Sequence, residues 1–318
     1  VKLAGSRIRG HDLCRPLAET KPPQMGLSSS ILPEWSADEW PTVFGTSPWM
    51  STTAFLVLRG IFALIFVVHT IWHMVEFILL EGEGFYYFVY LSRQSLIFNT
   101  VNMILLFVLA VMAAGARPSP ANPEAPKRTE PILARVGIVL FSLSQPLSLA
   151  AGPFYWILFN PVDAISAGEA PAPDYLEVFV HGIDWLLMLV TLFASRIPYS
   201  FSRAGWIGLY AVLYILYTYV HQLLRLGSPR PSCADPTITE DLSECPIYTV
   251  LDWSDPVGAL PLAIGGPVAA AIVLPLTYIF LVALRDGRLK CCRCPGQPNK
   301  QQKTAPEDAE GATSLSDP

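Results

Sequence analysis

Residues 95–116 read SLIFNTVNMILLFVLAVMAAGA, 22 residues between Arg93 and Arg117 without a single charge. About 20 mostly apolar helical residues cross a bilayer core, so this stretch is read as a membrane-spanning helix. Five further uncharged runs follow the same logic: Gly60–Val75 (16 residues), Val136–Val162 (27), Val178–Ser195 (18), Ala204–Leu224 (21) and Pro256–Leu284 (29). The shortest, between Arg59 and Glu76, reaches span length if a flanking charge snorkels. None alternates as the strands of a membrane barrel do, and none carries the polar face of a helix in a soluble core. The expected fold is an all-α bundle of six transmembrane helices. Its spans are placed at about 55–78, 95–115, 136–159, 177–195, 204–225 and 257–284. Pro146 and Pro153 in the third, and Pro261, Pro267 and Pro275 in the sixth, predict kinks there.

Composition agrees. Of 318 residues, 52% are hydrophobic and 15% charged, where soluble domains carry about 25% charge. Mean hydropathy is +0.41. This excludes a water-soluble globular enzyme and a disordered chain. A net charge of −5 offers no basic field for nucleic acid.

Basic residues mark cytosolic loops. Arg117, Lys127, Arg128 and Arg135 follow the second span, Arg196 and Arg203 the fourth, and Arg285, Arg288, Lys290 and Arg293 the sixth. The alternate loops are acidic, with Glu81 and Glu83, then Asp163, Glu169, Asp174 and Glu177, then a run from Asp235 to Asp255. Both termini are therefore expected in the cytosol. Residues 1–53 read as a largely flexible cytosolic segment without a cleavable leader, 54–290 as the membrane domain and 291–318 as a disordered tail. Cys233 and Cys245 share the last acidic loop, where a disulfide is permitted. Cys291, Cys292 and Cys294 sit beside basic residues at the membrane edge, a pattern for S-palmitoylation. Zinc there lacks a fourth ligand.

Ionisable groups inside spans are costly and mark candidate function. His69, His73 and Glu76 share a face of the first helix, with Arg59 on roughly the same side. His181 and Asp184 lie three residues apart on the fourth. Tyr210, Tyr214, Tyr217 and His221 form a stripe on the fifth, expected to turn inward because buried hydroxyls need partners. Three readings stand. The groups cross-link helices. Alternatively, His69 and His73 begin a metal site that Asp184 or His221 completes. Or His181 or His221 acts as a base, oriented by Asp184, on a nucleophile such as Thr70. The last two require these side chains to converge. No G-x-S-x-G or H-E-x-x-H signature is present.

The last acidic loop ends IYTVLDWSDP, Ile247 to Pro256. This segment, with Tyr248, Leu251, Asp252, Trp253 and Pro256, resembles the Ile-Tyr-Pro, Leu-Asp-Trp, Pro pattern of the rolling stone family. Leu58-Arg59, Tyr86-Tyr87-Phe88, Val180-His181-Gly182-Ile183-Asp184 and Arg196-Ile197-Pro198 fit the same resemblance, which runs from about Trp40 to Leu284. It implies a multi-pass protein of the plasma membrane or an endomembrane, needing no cofactor, with a role in adhesion, fusion or lipid handling. Its partners would be the bilayer and a lipid held in the bundle. That family is similar to the wider androgen-induced gene one superfamily, some of whose members hydrolyse fatty-acid esters of hydroxy fatty acids with an intramembrane Thr and His. In this chain the Thr position falls on Arg59 and the His position on Asp184, while His221 falls on a histidine of that superfamily's fifth span. An intramembrane lipid-ester hydrolase is the alternative.

Overall fold

The computed structural model describes residues 39–116, 130–153, 155–159, 175–227 and 245–287. Cys14, Cys233 and the cluster Cys291, Cys292 and Cys294 lie outside them. The described residues are all helix and connecting loop, with no strand. A short helix α1 (Trp40–Gly45) precedes six long ones: α2 (Thr52–Leu80), α3 (Leu91–Ala116), α4 (Ile132–Ala151, prolonged by a wide turn at Tyr155–Phe159), α5 (Tyr175–Ala194), α6 (Phe201–Leu223) and α7 (Pro256–Arg285). All six are long and apolar enough to cross a membrane, and each overlaps most of one of the uncharged runs.

The helices overrun the charges that bracket those runs. Arg59 and Glu76 lie within α2, Arg93 in α3, Arg135 in α4, Arg203 in α6 and Arg285 in α7. A charged side chain does not stop a helix; capping and proline do. Ser51 accepts the Ala54 N–H to start α2, and Asp255 caps α7 ahead of Pro256 at its first position. Arg59 does not snorkel. It is buried, with its guanidinium 4.5 Å from the Phe55 ring centre. Proline acts unevenly: α4 stops at Ala151, just short of Pro153, whereas α7 runs unbroken through Pro261, Pro267 and Pro275.

The centre is built by α3 and α4, which pack on each other. α2 packs along α3, α5 lies against α2, α3 and α4, and the pair α6–α7 leans on α4. The segment 1–53, expected to be flexible, is folded from Glu39 onward. α1 docks on α3, burying Trp40 and Phe44 among Leu106, Leu109, Ala134 and Ile138. Gly137 makes this three-way crossing possible. A Cβ there would stand 2.7 Å from Leu109 Cδ1 and 3.4 Å from Phe44 Cε1.

Both ends of the bundle are stapled by arginine. At one end Arg93 pairs with Glu83, both buried, and its guanidinium lies 4.1 Å from the Phe77 ring centre and 4.7 Å from that of Tyr90. This ties the end of α2 to the start of α3. At the other, Arg285 donates to the Leu192 and Ile197 carbonyls at 3.3 and 2.9 Å, and Trp49 Nε1 to Phe193 O at 3.0 Å. Orphan carbonyls at the end of α5 are thereby satisfied by a cation and an indole.

Replacing Glu83 by Gln leaves Arg93 buried without its counter-charge. The expected loss is about 3–5 kcal/mol, read as a lower thermal midpoint of the detergent-solubilised protein. The double change Arg93→Met with Glu83→Leu should recover much of it.

Candidate functional site

Midway along the bundle the inner faces of α3, α4 and α5 carry polar side chains. On α3, Ser95, Asn99 and Asn102 recur at i, i+4 and i+7 and are buried. On α4, Ser142, Ser144, Gln145 and Ser148 are buried, and on α5 Asp184 and Thr191. Buried polar groups of this kind favour partners within the protein, and several here bond across helices, though Asn102 and the Ser142 hydroxyl do not. Asn99 Nδ2 donates to both Asp184 oxygens, at 2.8 and 3.0 Å. Gln145 Nε2 donates to Met188 O, one turn beyond Asp184, at 3.0 Å. Tyr278 of α7 donates to Gln145 O at 2.6 Å, and Ser148 donates to the same carbonyl. Thr70 of α2 shares a hydrogen bond with Thr100 of α3 at 2.5 Å, and Thr100 also donates to Leu96 O. One belt thus links α2, α3, α5, α4 and α7.

Of the residues singled out in the sequence, Asp184 and Thr70 belong to this belt. A wide i→i+5 turn, Phe179–Ile183, lies within α5 just ahead of Asp184, which is buried. Such turns re-aim side chains inside helices. His181 lies elsewhere, at the α4 edge. Its Nδ1 donates to Ala151 O at 2.6 Å, and its ring stacks on Tyr155 at 3.6 Å between centres. Gly152 permits this approach, since a Cβ there would lie 2.9 Å from Trp185 Cβ and 3.2 Å from His181 O.

The other histidines are separate again. His69 Nδ1 donates to Ile65 O at 3.0 Å, so Nε2 is left to accept from the Tyr175 hydroxyl, with which it is paired. The His69 ring lies flat on Phe179, 3.6 Å between centres, and Trp72 packs on Tyr175. His73 is buried between Phe77 and Tyr87, and Glu76 is half-buried. His221 sits beside Tyr86 and Tyr217. The expected convergence of His69, His73, Asp184 and His221 is not found, because each ring or carboxylate has its own set of neighbours. Among the described residues no three of His, Cys, Asp or Glu come together to hold a metal.

The tyrosine stripe of α6 turns toward the start of α3. Tyr214 donates to Val89 O at 2.9 Å and Tyr210 to Gln94. Tyr217 packs against Tyr214 and His221.

The IYTVLDWSDP loop clamps α6 to α7. Gln222 Nε2 donates to Asp252 Oδ1 at 2.7 Å, while its Oε1 accepts the Trp253 N–H at 2.8 Å. Trp253 Nε1 donates to Thr218, and Tyr248 accepts the Leu91 N–H. Leu251 is buried beneath. Partial burial alone would raise the Asp252 carboxyl, but hydrogen bonds from Ser254 and Gln222 outweigh it and hold the group below its ordinary range.

No family model, no curated protein and no solved structure matches this chain.

Asn99, Asn102 and Gln145 escaped the sequence reading because they carry no charge and sit in runs chosen for lacking charge. Their i, i+4, i+7 and proline-adjacent positions were the available signal.

A lowered Asp252 contributes stability that is fully present above its unfolded value near 3.8 and is lost as pH falls through the lower folded value. Thermal midpoints measured from pH 7 down to pH 3 should therefore fall in the wild type below about pH 4. Asp252→Asn should be less stable at pH 7 and should lack this acid-dependent component.

Proposed function

We propose that this chain is an integral membrane protein with both termini in the cytosol, which binds and organises lipid without hydrolysing it. The charge asymmetry supports that orientation, since the α3–α4 and α5–α6 connections and the segment after α7 are basic and the others acidic. Six crossings return the chain to its starting side. The resemblance of its Ile247–Pro256 segment to the rolling stone family supports a role in membrane adhesion or fusion.

The observation that carries the lipid-handling reading is the aromatic cluster where α2 meets the start of α5. Trp72 and Tyr175 are about half exposed, at 49% and 51%, and are backed by the stacked His69 and Phe179. Aromatic side chains with polar tips favour the level of lipid headgroups. Of the groups a hydrolase would use, Thr70 is tied to Thr100 and His181 Nδ1 to the Ala151 carbonyl, while His221 packs beside Tyr86 and Tyr217. The same reading takes Cys291, Cys292 and Cys294 as acylated and Cys233–Cys245 as a bridge, with Cys245 buried at the loop's end.

Adding phosphatidylcholine to the purified protein in detergent should raise its thermal midpoint, and Trp72→Ala with Tyr175→Ala should remove most of that rise. A serine/threonine-reactive fluorophosphonate probe should leave the protein unlabelled. Labelling that disappears in Thr70→Ala would overturn the non-hydrolytic reading. Intact mass after alkylation, with and without reductant, should show two thiols protected until reduction.

A further inference from the structure

The belt leaves oxygens over. Asn99 is oriented by the carboxylate, since its Nδ2 must face Asp184, and its Oδ1 then has no hydrogen-bond donor. Gln145 is oriented in the same way by the Met188 carbonyl, and its Oε1 also has no donor. Both side chains are fully buried, and Asp184 is 1% exposed. Among the described residues no Lys, Arg or His pairs with Asp184. Pro146, next to Gln145, cannot supply the N–H that the Ser142 carbonyl would receive in an uninterrupted helix. The Ser142 hydroxyl likewise has no partner.

A buried carboxylate without a counter-charge is a costly arrangement, and so are donor-less amide oxygens on the two helices that α5 packs against. A proton on Asp184 would supply one donor and leave most of these oxygens unmet. A hard cation is bound by carboxylate, amide and backbone oxygens together, in the absence of nitrogen or sulfur ligands. One carboxylate matches a single positive charge. We propose that Asp184, Asn99 Oδ1 and Gln145 Oε1 form a monovalent-cation site that takes Na⁺ in the centre of the α3–α4–α5 bundle. Here a wide turn precedes Asp184, and Pro146 beside Gln145 takes one N–H out of the α4 ladder, so both facing helices depart from regular hydrogen bonding next to these side chains. The site is independent of the lipid surface at Trp72 and Tyr175.

The full-length protein in detergent, immobilised for scintillation proximity, should bind ²²Na⁺ saturably at one ion per chain. Unlabelled NaCl should compete and N-methylglucamine chloride should not. Thermal midpoints should rise with NaCl at constant ionic strength, as mass action on the folded state requires. Asp184→Asn should weaken binding at least about tenfold, equivalent to about 1.4 kcal/mol. Gln145→Leu, which removes Oε1 without touching the charge, should weaken it less and tests the site if Asp184→Asn does not fold. Absence of saturable ²²Na⁺ binding to the wild type would overturn the proposal. So would wild-type affinity in either variant.

Discussion

The structure depends on the requirement that polar groups inside an apolar bundle be satisfied by one another. A buried asparagine, glutamine or hydroxyl is costly unless a neighbouring helix meets it, and several here are met in that way. The Asn99–Asp184 hydrogen bonds fix α3 against α5, Gln145 fixes α4 against α5, Tyr278 fixes α7 against α4, and the Thr70–Thr100 pair fixes α2 against α3. Apolar packing alone, between helices that are apolar nearly all round, distinguishes rotations of a helix weakly. The polar belt sets them.

Charges at the two ends are used differently from charges on a soluble surface. Arg93, Arg203 and Arg285 fold back into the protein. Arg93 meets Glu83 and aromatic faces, whereas Arg203 and Arg285 donate to carbonyls that helix and loop ends leave unpaired. Guanidinium suits this role because it is planar, has five donors and stacks on rings. The helices consequently continue past residues at which a count of uncharged positions stops. The segment Leu251-Asp252-Trp253 does comparable work at the α6–α7 connection, where Gln222 gives one hydrogen bond and takes another.

Facial arguments on single helices were only partly informative about the site. His69, His73 and Glu76 do lie along one side of α2, yet that side is wide enough to meet α5 at His69 and the Phe77–Tyr87 cluster at His73. His181 and Asp184 are neighbours in sequence, but the wide turn that holds His181 and ends just before Asp184 leaves one at the α4 edge and the other in the core. A rotation of that size is invisible in an i, i+3 count, which presumes regular α-geometry.

Sequence alone determined the number of long helices, their approximate bounds and their apolar character, because desolvating a charge at span depth is so costly that uncharged runs betray the elements directly. It also singled out Asp184. Only the tertiary structure decided that α1 belongs to the core, that Arg59 is buried, that the histidines occupy separate settings, and that Asn99 meets the carboxylate while Gln145 meets the next turn of α5. Those outcomes turn on which faces of different helices meet. That depends on helix rotation and on steric gaps such as Gly137 and Gly152, which no single segment encodes.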